Sequence, residues 1–125
     1  KNKICETPVS FIDIYPTLID LAGISKKNNL DGESLLDLLQ DTSMDWDRPV
    51  LSTYGRGNHA VRSENWRYIQ YRDGSNELYN HENDPNEWLQ IGNDLNHPEK
   101  IILVNKITNT ILFQKGHFFE FRVLP

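Results

Sequence analysis

The sequence predicts an α+β fold, a small antiparallel sheet of about four strands packed with helices. Three observations point there. Apolar residues recur at helical spacing over 10–22. After Pro49 the pattern changes to short β-rich runs. Asp73-Gly74 then supplies a hairpin turn between two of those runs.

The first element is residues 10–22, SFIDIYPTLIDLA. Phe11, Ile12, Tyr15, Leu18, Ile19, Leu21 and Ala22 share helical spacing. Ser10 is the expected N-cap, and Asp13, three residues on, completes a loose capping pair. Pro16 is a poor residue inside a helix, so a kinked or separate first turn is expected, with the main helix starting near Tyr15. Gly23 is the expected stop, and residues 26–29 a polar loop. After Asp31-Gly32-Glu33-Ser34, residues Leu35, Leu36, Leu38 and Leu39 suit one buried face of a two-turn helix.

Val50–Tyr54 reads as a strand, Gly55-Arg56-Gly57-Asn58 as a loop, and His59–Ser63 as a second strand. In the third strand Trp66, Tyr68 and Gln70 point one way, and Arg67, Ile69 and Tyr71 the other. Asp73-Gly74 connects it to Glu77–Tyr79, which gives a meander of three or four strands. Asn83–Trp88 forms a turn around Pro85. A final helix is expected from His97-Pro98-Glu99 to about Phe113, with Ile101, Ile102, Val104, Ile107, Ile111 and Leu112 on its apolar face. The tail, 116–125, carries three phenylalanines without a period and stays unassigned.

The 125 residues suit a single domain, and 38% hydrophobic with 25% charged residues is ordinary globular usage. Lysine and arginine number 13 against 18 acidic residues, a net charge of −5 that argues against a nucleic-acid partner. No apolar run reaches the roughly 18–20 residues of a membrane span. The N-terminus has no signal-peptide pattern and begins in mid-pattern without methionine, as a piece of a longer chain would. One cysteine excludes an internal disulfide framework and multi-cysteine metal sites.

Chemistry-bearing groups are sparse. Cys5 has no local support as a nucleophile. The four histidines lack metal-ligand spacing, with His81 and His97 expected at the surface and His117 in the tail. Asp13, Asp20, Asp31 and Glu33 read as caps or solvated groups, and Asp84 as a turn former. The aromatic residues at 66, 68, 71, 79 and 88 read mostly as core, with a sugar-stacking platform as the competing reading. Arg56, Asn58 and His59 stand apart. Two glycines let backbone approach a ligand there, and a planar cation, an amide and a titratable ring suit an anionic, hydroxyl-rich ligand. The competing reading is a turn with a hydrogen-bonded Asn58 and an edge histidine. No catalytic residue and no metal ligand is expected in this chain.

The order of segments carries a resemblance. PVSFIDIYPTLIDLAG, LDGESLLDLL, GNHAVRSENWRYIQY, GSNELYN and NDPNEW together resemble the C-terminal subdomain of bacterial sulfatases of the iduronate-sulfatase and heparan N-sulfatase type. The likeness covers roughly residues 7–92. It implies an alkaline-phosphatase-like enzyme whose large N-terminal domain carries a formylglycine nucleophile and a calcium ion. The smaller subdomain then closes one side of the pocket and helps select a sulfated carbohydrate. On this resemblance residues 1–48 end the catalytic domain, 49–114 form the C-terminal subdomain, and 115–125 are unassigned. Arg56, Asn58 and His59, with Arg62 beside them, match a segment that faces substrate.

The sequence departs from the family in places. Cys5-Glu6-Thr7-Pro8-Val9 lacks the proline or alanine and the arginine of the formylglycine motif, so calcium and formylglycine are expected only in the full-length parent. Leu89-Gln90-Ile91 replaces the usual Asn-Leu, and Lys115–Pro125 does not look like the family's ending. The implied partners are the sulfated substrate and the N-terminal catalytic domain, with no nucleic acid and no membrane. The implied location is periplasmic or extracellular. A stand-alone glycan- or partner-binding module and a truncated remnant are the alternatives. Helix 10–22 is apolar around much of its circumference, which predicts burial against further protein and self-association of the isolated chain.

Overall fold

A computed structural model describes residues 3–25, 29–92, 97, 98 and 100–105. A single 3-10 turn, Phe11–Asp13, leads into α1, Ile14–Leu21, and α2 is Leu36–Gln40. The strands are β1, Val50–Thr53; β2, His59–Arg62; β3, Trp66–Gln70; and β4, Asn76–Asn80. Residues 98 and 100–105 are helical and are called α3. The expected continuation of that helix to Phe113, the tail 115–125 with His117, and most of the loop 26–29 lie outside the described residues.

The first turn is separate from α1, as the position of Pro16 requires. Ile24 N–H bonds to the Ile19 carbonyl at 3.1 Å and Gly23 N–H to the Asp20 carbonyl at 3.0 Å, a glycine-based C-terminal cap. The expected two-turn helix of leucines is corrected to one turn. Five residues offer one inward position, which Leu38 fills, while Leu39 is 61% exposed.

The four strands form one antiparallel sheet in sequence order, β1-β2-β3-β4. Val61 is paired with Tyr68, and Tyr68 with Leu78, so all three share one face. Leu103 of α3 closes over them, with Leu51, Trp66, Ile91 and Val104 at the margins. Each such side chain contributes roughly 1.5–3 kcal/mol by leaving water. Lys100 is also buried there, and its ammonium donates to the Gly92 carbonyl.

A polar clamp holds the helical segment. The Asp13 carboxylate is 0% exposed and accepts from the backbone N–H groups of Ser10 and Glu33, each at 2.9 Å, and from the Arg48 guanidinium. Thr17 donates to the Asp13 carbonyl and accepts from Leu35 N–H at 2.9 Å. Arg48 also donates to the Asp31 carbonyl at 2.9 Å. The expected capping role of Asp13 is therefore joined by an ion pair between the buried carboxylate and the half-buried Arg48. Gly32 makes the clamp possible, because a Cβ there would lie 2.0 Å from the Ile12 carbonyl oxygen. With Asp13, Pro16 and Thr17 turned inward, Phe11, Ile14, Tyr15, Leu18 and Leu21 are left exposed.

Candidate functional site

The β1–β2 loop, residues 54–58, is tied at several points. Tyr54 N–H bonds to the Asn58 carbonyl at 3.0 Å, and the Asn58 amide returns a bond to the Tyr54 carbonyl at 3.0 Å. The Asn58 side-chain oxygen accepts from Arg72 N–H at 3.2 Å, which joins the loop to the β3–β4 connection. Gly57 has φ +84°, and a Cβ there would meet Arg72 Cβ at 3.2 Å. Glycine thus serves both the turn and the close approach.

The structure separates the three expected site residues. Arg56 is exposed at the loop tip. Asn58 spends its side chain inside the loop. His59 is 8% exposed on the core face, its Nδ1 3.0 Å from Thr53 Oγ1. Alternation puts Ser52 on the opposite, open face. Tyr54 is 87% exposed, and Arg72 beside the loop is exposed too. Neither was singled out by sequence. Tyr54 reads as the last residue of a strand, and the usable signal was its place directly before the glycine loop.

Toward the strand ends away from this loop, the open face of the sheet floors a cleft of about 810 Å³, lined in part by Ser52, Arg62, Arg67, His81 and Glu87. Glu87 is its centre. Both of its oxygens accept from the one Arg67 nitrogen Nη1, at 3.0 and 2.8 Å, and its Oε1 lies 2.5 Å from His81 Nε2. Arg62 Nη1 stands 3.0 Å from the same histidine nitrogen. Burial holds the Arg62 guanidinium below its ordinary value, opposed by Glu87 and assisted by Arg67. His81 was expected at the surface, and this cluster encloses it instead. His97, also expected there, is half-buried with its ring centroid 5.2 Å from that of Trp66.

The aromatic residues divide. Tyr68 is core, Trp66, Tyr71 and Tyr79 are half-buried, and Trp88 is 85% exposed. Asp84 forms its turn as expected, its carboxylate accepting from Leu89 N–H at 2.7 Å. Among the described residues, no three His, Cys, Asp or Glu side chains converge in a way that could hold a metal ion. No helix among them is long and apolar enough to cross a membrane.

Comparison with known proteins converges on one family. The model of the N-sulphoglucosamine sulphohydrolase C-terminal family matches residues 1–114. A sulfatase of Formosa agariphila is 39% identical over 101 residues, covering 81% of this chain and 20% of the relative. Arylsulfatase K of Gallus gallus is 35% identical over 127 residues, covering 90% of this chain and 23% of the relative. The chain thus spans about a fifth of the length of these relatives. The solved structure of BT4656 in complex with its substrate D-glucosamine-2-N,6-O-disulfate shares the fold. It has a TM-score of 0.64 at 19% identity, covering 82% of this chain and 23% of that one. By the match over residues 1–114, this chain belongs to the N-sulphoglucosamine sulphohydrolase C-terminal family.

Proposed function

We propose that this chain is the substrate-facing C-terminal part of a sulfatase that hydrolyses sulfate esters or N-sulfate of a sulfated carbohydrate. The observation that carries the reading is the family match, which takes in the helical segment and the sheet together. The sulfated glucosamine bound by a protein of the same fold supports the substrate class. Residues 1–48 would complete the catalytic domain, 49–114 form the subdomain, and 115–125 a tail. The nucleophile and metal ligands belong to residues upstream, where formylglycine and calcium supply attack on sulfur and charge stabilisation. This chain's own share is binding. Arg56 meets the anionic group, Asn58 fixes the loop that carries Arg56, and His59 with Thr53 anchors the end of that loop. Arg62 adds positive charge in the cleft on the open face of the sheet. The exposed face of α1 is the docking surface for the N-terminal catalytic domain. Export to the periplasm or outside the cell suits a glycan substrate.

Sulfate release with calcium present tests the reading. The full-length protein, matured by a formylglycine-generating enzyme, is expected to release sulfate from sulfated oligosaccharides, and the isolated 125 residues are expected to release none. Release by the isolated chain would overturn the division of labour. Silence from both would favour a glycan-binding module or a remnant.

A further inference from the structure

We infer that Tyr54 is a stacking platform for a sugar ring, on a loop whose Arg56 and neighbouring Arg72 engage the ring's anionic substituents. The inference deepens the proposed function and rests on its substrate class.

Four observations carry it. Tyr54 puts 87% of its surface into solvent, so its ring is open to a ligand. Its backbone is nonetheless held at both ends, by the Asn58 carbonyl and the Asn58 side-chain amide. A pinned backbone under an exposed ring means that little freedom is lost when a ligand settles on it. The loop is in turn fixed to Arg72, through the bond to Arg72 N–H and the close seat of Gly57. Finally, of two exposed arginines in a chain of net charge −5, Arg56 lies on this loop and Arg72 is bonded to it through Asn58. Positive charge gathered at one loop of an acidic chain favours an anionic ligand there.

The chemistry fits one ligand class. A pyranose ring presents an apolar face of C–H groups that lies on an aromatic ring. Sulfate groups at its edge accept hydrogen bonds from guanidinium forks. Ring and charge are thus read by different residues, which makes the two contributions separable.

The test is equilibrium binding to the full-length protein, with folding checked by circular dichroism. The probes are N-sulfated, 6-O-sulfated glucosamine, its unsulfated counterpart, and inorganic sulfate. Tyr54→Ala is expected to weaken both sugars about tenfold, the weight of one aromatic contact. Tyr54→Phe is expected to bind as the unaltered protein does. Arg56→Ala is expected to weaken only the sulfated sugar and to flatten the salt dependence of its binding. Unchanged binding by Tyr54→Ala, with the unaltered protein binding sugar, overturns the platform alone. Equal loss in Tyr54→Phe assigns the contact to the hydroxyl and also overturns it. Inorganic sulfate binding as tightly as the sulfated sugar would leave the ring no role. An unaltered protein that binds neither sugar overturns the platform and the glycan reading together.

Discussion

Glu77 accepts hydrogen bonds from two phenols, Tyr71 at 3.0 Å and Tyr79 at 2.8 Å. A carboxylate that accepts from a phenol favours the neutral phenol, so both are held above their ordinary value, Tyr79 up to about 12. The unfolded phenol ionises near about 10. The contribution of Tyr79 to stability is therefore complete below that pH and lost as pH rises through about 12. An ultraviolet phenolate titration is expected to show a late-ionising group that vanishes in Tyr79→Phe and ionises earlier in Glu77→Gln. Phenols that all ionise together near the ordinary value would refute this. Single residues were the least legible level of the sequence. Asp13 reads correctly as a helix-start carboxylate, but its ion partner Arg48 lies 35 positions away, where no local pattern reaches. His81 reads as surface because Glu87 and Arg62, which enclose it, come from a turn and from another strand. Arg56 is visible as a cation in a glycine loop, whereas the inward turn of His59 depends on which face of β2 meets α3.

Elements were easier to read where their signal is local. The face assignment for Trp66, Tyr68 and Gln70 follows from strand alternation, and the register bears it out through the Tyr68–Leu78 pairing. Asp73-Gly74 gives its hairpin because Gly74 takes φ +90° and Asp73 accepts from Ser75 N–H at 2.9 Å. The leucine run misled because four leucines in five residues suit any helix length, and the clamp at Glu33 and Leu35 leaves only one turn after it. That clamp depends on close backbone contact. Gly32→Ala would push a methyl group against the Ile12 carbonyl, and the cost is expected to be about 3 kcal/mol, at the upper end for overpacking. Urea unfolding of the variant measures it. A change below about 0.5 kcal/mol, the range of neutral surface substitutions, would show that the loop yields freely.

At the level of the molecule, the exposed stripe on the helical segment dominates behaviour. Phe11 is 90% exposed, and Ile14, Tyr15, Leu18 and Leu21 continue the same band. Contiguous apolar surface of this kind drives association. Sedimentation of the isolated 125 residues is expected to show concentration-dependent self-association, relieved when Phe11→Glu and Leu18→Glu are combined. A monodisperse, cooperatively melting monomer would contradict it. The breadth of the apolar band was legible in the sequence. That Asp13, Pro16 and Thr17 would take the inward side was not, since it follows from polar bonds to a loop far along the chain.

The consecutive strand order also sets where chain entropy is lost. Each strand pairs only with its sequence neighbour, across connections of three to five residues. The Asp13–Arg48 pair instead closes a loop of 35 residues. Loop-closure entropy grows with the logarithm of length, so this one closure costs about 1–2 kcal/mol more than any hairpin in the sheet. The ordering penalty of the helical segment is thus shared by three closures, at Glu33, Leu35 and Arg48, which are 20, 18 and 35 positions from their partners, whereas the sheet closes only short loops.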